Sequence, residues 1–108
     1  MRIALLEDDM LQAEIVERWL IDDGHECVLF ATGAEFRFGV RRQTFGLVIL
    51  DWMLPDDDGL EVLIWLRRTV STRLPSMMVT ARNEESAVVA ALDAGADDFL
   101  TKPVRREE

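Results

Sequence analysis

Four short apolar runs in this chain each stop on a residue whose head group can do chemistry. Ile3-Ala4-Leu5-Leu6 stops on Glu7-Asp8-Asp9, and Leu47-Val48-Ile49-Leu50 stops on Asp51. Met77-Met78-Val79 stops on Thr80, and Phe99-Leu100 on Thr101-Lys102. Short runs without polar alternation, separated by segments of helical spacing, read as strands of a parallel sheet buried on both faces. Ligands of such sheets bind outside the carboxyl ends of the strands. One cleft therefore collects several acids, a hydroxyl and an ammonium group, which suits a divalent cation and a phosphoryl group.

The intervening segments supply the helices. After the strand Arg2 to Leu6, Leu11, Ile15, Val16, Trp19 and Leu20 recur at helical spacing, with a cap at or near Asp9 and a stop at Asp22-Asp23-Gly24. Glu26 to Phe30 is a second strand, and Gly33 to Gln43 a helix weakened by Gly39. Leu47 to Leu50 is the central strand. Pro55 and Gly59 frame a turn in which Asp56, Asp57 and Asp58 read as solvated turn and cap residues. A third helix carries Leu60, Leu63, Ile64 and Leu66 and ends near Val70. A strand from Ser76 to Thr80, a helix from Glu84-Glu85 to Gly95 and a strand from Asp98 to Thr101 follow. Right-handed crossovers make this β-α succession a doubly wound α/β sheet of five parallel strands. Residues 1–108 form one domain that reads as truncated before its final helix, with one sheet face covered only by the first helix. The Trp and Phe side chains read as core, except Phe99, which neighbours Lys102 near the cleft.

Composition excludes several functions. Twelve basic against 21 acidic residues give a net charge of −9, so the domain repels nucleic acid. No run approaches the ~20 apolar residues of a membrane span, and the amino terminus lacks a signal-peptide pattern, which points to a cytoplasmic protein. Cys27 is the only cysteine, so an intrachain disulfide is impossible. Neither Gly-x-x-x-x-Gly-Lys-Ser/Thr nor Gly-x-Gly-x-x-Gly occurs, which argues against an ATPase or a dinucleotide enzyme. His25 has no Ser or Cys motif near it.

The acids at the strand ends carry the chemistry. Asp8 and Asp51 end neighbouring strands, and like charges ~4 Å apart repel by roughly 4 kcal/mol at an effective dielectric of 20. With Glu7 or Asp9 added, the cluster needs a neutralising partner, and carboxylate oxygens suit Mg²⁺. Lys102 is the only lysine and supplies a compact positive charge that can neutralise a carboxylate and hold a phosphoryl oxygen. Thr80 offers a hydroxyl. Asp51 is the best nucleophile, able to form an acyl phosphate. Taken singly, an Asp after a strand is an ordinary turn residue, Thr80 a cap and Lys102 a surface cation. Their fall at successive strand ends gives the functional reading its weight.

These residues resemble the receiver domain of a two-component response regulator, over essentially the whole chain. The matching pieces are Leu5-Leu6-Glu7-Asp8-Asp9, Val48 through Pro55 with Asp58-Gly59, Val79-Thr80-Ala81-Arg82, and Gly95 through Pro103. Leu-Asp-Trp-Met-Leu-Pro with Gly-Ala-Asp-Asp-Phe is most similar to the OmpR/PhoB type. The resemblance implies a flavodoxin-like receiver fold with strand order 2-1-3-4-5. It implies that Asp51 accepts a phosphoryl group from a histidine kinase, with Mg²⁺ held by Asp8, Asp51, the Met53 backbone carbonyl and, through water, Glu7. Thr80 and Lys102 resemble the partners of the phosphoryl group, and Thr80 and Phe99 the conformational switch. Met53 and Arg82 match positions that tune the approach of water. Such a domain is no enzyme beyond catalysing its own phosphorylation and dephosphorylation. It controls a DNA-binding effector domain absent from this chain, in some relatives as a homodimer. The missing helix leaves Asp97 and Asp98 without their usual arginine partners, and no Lys or Arg lies between Asn83 and Gly95. A receiver-like module that is not phosphorylated is the competing reading. A hydrolase with an aspartyl-phosphate intermediate is disfavoured, since nothing supplies a substrate-binding cap.

Overall fold

Side-chain alternation along the strands divides the interior into two cores. In the computed structural model, which describes residues 1–82 and 84–102, the even-numbered Ala4, Leu6, Val48, Leu50 and Met78 enter one core. The odd-numbered Ile3, Leu5, Ile49 and Val79 enter the other, as the twofold period of a strand requires. The elements run β1 (Arg2–Leu6), α1 (Met10–Asp22), β2 (Glu26–Phe30), α2 (Gly33–Val40), β3 (Leu47–Asp51), α3 (Gly59–Thr69), β4 (Ser76–Thr80), α4 (Glu85–Asp93) and β5 (Asp98–Thr101). All strand pairs are parallel, in the order β2-β1-β3-β4-β5. This is the expected sheet, with β3 central. Order reverses between β1 and β3, so the carboxyl ends of those strands flank the place where such folds bind ligands.

The first core is covered by three helices. Phe36 and Val40 of α2, Val62, Leu63 and Leu66 of α3, and Ala87 and Ala91 of α4 all pack into it. Among the described residues only α1 covers the second, with Ala13, Val16 and Leu20 against the sheet. Among the described residues a groove of about 900 Å³ opens beside α1, lined by Leu5, Val16, Leu20, Ile49, Met77 and Leu100. The expected thin cover of one face is borne out there. Residues 103–108, where the sequence reads as truncated before a final helix, lie outside the described residues.

Local chemistry sets the boundaries. Asp9 caps α1 by accepting from the Leu11 and Gln12 amides, and Gly24, at φ +91°, follows its end. Helix α2 stops at Val40, three residues short of the expected Gln43, where the Arg42 and Gln43 amides both turn back to the Gly39 carbonyl. Gly39 itself is a packing residue, because a Cβ there would meet the Phe30 ring at 2.4 Å.

Two expectations fail. Phe38 is not core: it is 62% exposed and stacks under the Arg42 guanidinium, 4.0 Å from the ring centre. Its place on α2 points away from the sheet, while Phe36 takes the buried one. Asp97 is not left without a partner, since its carboxylate accepts from Arg67 at 3.2 Å and from the Ser76 amide at 2.8 Å. Arg67, on α3, also ties the Gly95 and Leu74 carbonyls.

Gly59 opens α3 against the end of β3, and its amide donates to the Trp52 carbonyl at 2.7 Å. A Cβ at this position would lie 1.9 Å from the Asp51 carbonyl oxygen, which is backbone and cannot step aside. Gly59→Ala should therefore destabilise the fold by about 2–3 kcal/mol, read as a lower urea midpoint. An unchanged midpoint would show that α3 can shift away from the strand end.

Candidate functional site

Glu7, Asp8, Asp51, Thr80 and Lys102 come from the carboxyl ends of four strands, and the sheet register brings them together. Leu6 pairs with Leu50 across β1 and β3, so the next residues, Glu7 and Asp51, emerge side by side. Thr80 pairs with Thr101 across β4 and β5, and the Lys102 amide donates to the Thr80 carbonyl at 2.8 Å. That bond turns Lys102 back over the edge of the sheet. Its ammonium donates to Glu7 Oε1 at 2.7 Å and to Asp51 Oδ2 at 2.9 Å.

The carboxylates are crowded. Glu7, Asp8 and Asp51 each offer an oxygen within 4.8 Å of the others. Glu7 and Asp51 are buried, while Asp8 is exposed. Burial, with the hydrogen bond and the charge of Asp51 beside it, pushes the Glu7 carboxyl up to about 7, against the opposing pull of Lys102. For Lys102, burial acts downward, but hydrogen bonds to Glu7 and Asp51 outweigh it and hold the ammonium above its ordinary value. One cation thus faces two buried carboxylates, and the set retains an excess of negative charge.

The donor set fits a hard divalent cation. All its ligand atoms are carboxylate oxygens, and a cation with oxygens at about 2.0–2.6 Å can bridge atoms spaced this way. Among the described residues no sulfur or imidazole joins the cluster. Sequence expectation placed Glu7, Asp8, Asp51 and Lys102 together, and all four meet. Thr80 is fully buried at the neighbouring strand end, and its hydroxyl accepts from the Arg82 amide at 3.3 Å. Met53 lies just beyond, its amide 3.4 Å from Asp51 Oδ1 and its side chain exposed. Phe99, one strand away on β5, is half-buried against the larger core.

At the rim the turn and cap reading of Asp56, Asp57 and Asp58 holds, while the ties of Asp56 and Asp57 to α2 and the place of Arg82 were not foreseen. Asp56, Asp57 and Asp58 stay out of the acid cluster, and each has a separate task. Asp56 accepts from the Gly33 and Ala34 amides at the start of α2, which holds its carboxyl below the ordinary range. Asp57 pairs with Arg37 at 3.0 Å, and Asp58 caps α3 through the Leu60 and Glu61 amides. Arg82 lies over the buried Trp52 ring at 4.4 Å and pairs with Glu84. Nothing in the local sequence pattern names Arg37 or Trp52 as partners for these groups.

A family model for the response regulator receiver domain matches residues 3–108. The chain is 43% identical over 108 residues to the response regulator MprA of Mycobacterium leprae, covering 100% of this chain and 47% of MprA. It is 38% identical over 108 residues to the phosphate regulon transcriptional regulatory protein PhoB of Rhizobium meliloti, covering 99% of this chain and 48% of that protein. The chain thus spans a little under half the length of these curated relatives. Among solved structures, the response regulator DrrB, an OmpR/PhoB homologue from Thermotoga maritima, matches with a TM-score of 0.88 at 31% identity. That match covers 98% of this chain and 47% of DrrB.

The raised Glu7 carboxyl has a consequence for metal-free protein. The folded state keeps a proton on Glu7 that the unfolded chain releases near its ordinary value of 4.5. Stability from this group is complete below that value and is lost as the pH rises through about 7. Urea midpoints in a chelating buffer should therefore fall between about pH 5 and pH 7.5, and Glu7→Gln should remove most of the fall. The same fall in Glu7→Gln would assign it to other groups.

Proposed function

The chain belongs to the response regulator receiver domain family, and on that premise we propose that Asp51 accepts a phosphoryl group from the phosphohistidine of a sensor histidine kinase. A receiver is a signalling domain, and the relatives of this one include transcriptional regulators. The observation that carries the reading to Asp51 is its position. It is a buried carboxylate at the end of the central strand, bonded by the chain's only lysine and flanked by two more acids.

In the proposed reaction an Asp51 oxygen bonds to phosphorus while the imidazole nitrogen of the donor leaves with the bonding pair. Glu7, Asp8, Asp51 and the Met53 backbone carbonyl would hold Mg²⁺, with Glu7 acting through water. When bound, the ion neutralises the acids and the charge on the phosphoryl oxygens. Lys102, already 2.9 Å from Asp51 Oδ2, has only to transfer that hydrogen bond to a phosphoryl oxygen. Thr80 supplies a hydroxyl to another oxygen. Its movement would release the Arg82 amide and make room for Phe99 to turn inward, which converts the chemistry into a changed surface near α4 and β5.

The same reading makes residues 1–108 a receiver domain, and a helix following β5 would pack over the groove beside α1, lined by Leu5, Val16 and Leu100. A DNA-binding effector domain would act downstream, in the cytoplasm where the kinase presents its phosphohistidine. Dimerisation through α4 would rest on the exposed Val89 and Leu92 rather than on ion pairs.

Intact mass after incubation with acetyl phosphate and Mg²⁺ tests the assignment. The parent should gain one phosphoryl group, and Asp51→Asn none. Equal gain in both would move the acceptor elsewhere. No gain in folded parent would leave an unphosphorylated interaction module.

A further inference from the structure

The loop that follows Asp51 is held from outside the acid cluster, by α2. Its two ends are pinned locally, by the Met53–Asp58 bridge and by the Gly59 amide on the Trp52 carbonyl. Its tip is pinned at a distance. Asp56 accepts from the first amides of α2, at 2.9 and 3.1 Å. The Asp57 carboxylate works in two directions: Oδ2 receives the Arg37 guanidinium at 3.0 Å, while Oδ1 receives the Asp58 amide at 2.8 Å. Arg37 in turn lies over the Trp65 ring of α3, 5.1 Å from its centre.

These contacts form one continuous chain of bonds from Trp65 through Arg37 and Asp57 to Asp58, the residue that bridges Met53. Met53 needs such support, because its side chain is 67% exposed and packing does little to fix it. The fit is close as well. A Cβ on Gly33 would meet Asp57 Oδ2 at 2.5 Å, so only glycine leaves room for this carboxylate beside α2. A guanidinium held by a carboxylate and an aromatic face loses little freedom when it binds, which suits it to fixing a loop.

We propose that Arg37, acting through Asp57, is a positioning residue that holds the Met53 backbone carbonyl in place for divalent-cation binding. The proposal rests on the reading of Met53 as a main-chain metal ligand. Arg37 touches neither the acids nor the phosphoryl group; its effect is on where the loop backbone stands. A partner that bonds a ligand directly changes metal affinity by about 10–100-fold. Arg37 acts one residue further out, so a smaller change is expected.

The test is Mg²⁺ titration of ¹⁵N-labelled protein, following the amide signals of Asp8 and Met53. Arg37→Gln removes the charge and the guanidinium that lies over Trp65, and should raise the Mg²⁺ Kd about three- to tenfold. Asp57→Asn, which can still accept from the Asp58 amide, should do the same, and Arg37→Lys should restore part of the affinity. Arg67→Gln is the control, because it breaks ties to Gly95 and Asp97 without touching this loop. It should lower the melting temperature while leaving the Kd within about twofold of the parent. An unchanged Kd in both Arg37→Gln and Asp57→Asn, or an equal rise in Arg67→Gln, would overturn the proposal while leaving the metal site intact. A parent whose Asp8 and Met53 signals do not respond to Mg²⁺ would overturn the metal reading and this proposal with it.

Discussion

The ammonium of Lys102, shared between Glu7 and Asp51, is the contact on which the site depends. It joins the end of β5 to the ends of β1 and β3, across 95 residues of chain to Glu7. Without it, two buried carboxylates would stand together with no ion-pair partner among the described residues, a state that costs several kcal/mol. With it, three clustered acids still face one ammonium, and burial, with Asp51 beside it, holds the Glu7 carboxyl above its ordinary value. The fold therefore holds a partly neutralised acid site, tolerable when Glu7 is protonated and receptive to a further cation when it is not. A cluster that is to take up a cation needs this imbalance, because a fully neutralised one would have little affinity for a metal.

The scaffold makes that imbalance affordable. Both cores are built from the alternating side chains of the same strands, and three helices seal the larger one. The strand ends are consequently rigid, while the chemistry sits on the residue just beyond each. The rim is tied separately. Asp56, Asp57 and Asp58 are held by α2, Arg37 and α3 in turn, so three adjacent acids are kept out of the cluster. Arg67 performs a similar service at the opposite end, gathering the β4 and β5 approaches through Leu74, Gly95 and Asp97.

Strand positions and site residues were legible because both follow from local rules. An apolar run sets a buried strand, and the first polar residue after it must emerge at the edge. Parallel pairing then brings Glu7, Asp51, Thr80 and Lys102 together without any long-range information beyond strand order. What was not legible depends on contacts between distant segments. Gly39 looked like a helix weakness until the Phe30 ring was seen against it. Phe38 looked like core because aromatic residues usually are, yet Phe36 already fills the place facing the sheet. Arg67 as partner of Asp97, and Arg37 as partner of Asp57, required knowing which helix lies beside which loop.

The most direct test of the charge-imbalance account is the melting temperature of the parent and of Asp51→Asn, each in chelator and in millimolar Mg²⁺. Ligand binding to the native acids stabilises by mass action, and removal of one like charge relieves the metal-free cluster. The parent should melt several degrees higher with Mg²⁺. Asp51→Asn should melt slightly above the parent in chelator and gain little from the metal. A parent indifferent to Mg²⁺, or an Asp51→Asn variant clearly less stable in chelator, would show that the cluster is a structural ion-pair network rather than a site waiting for a cation.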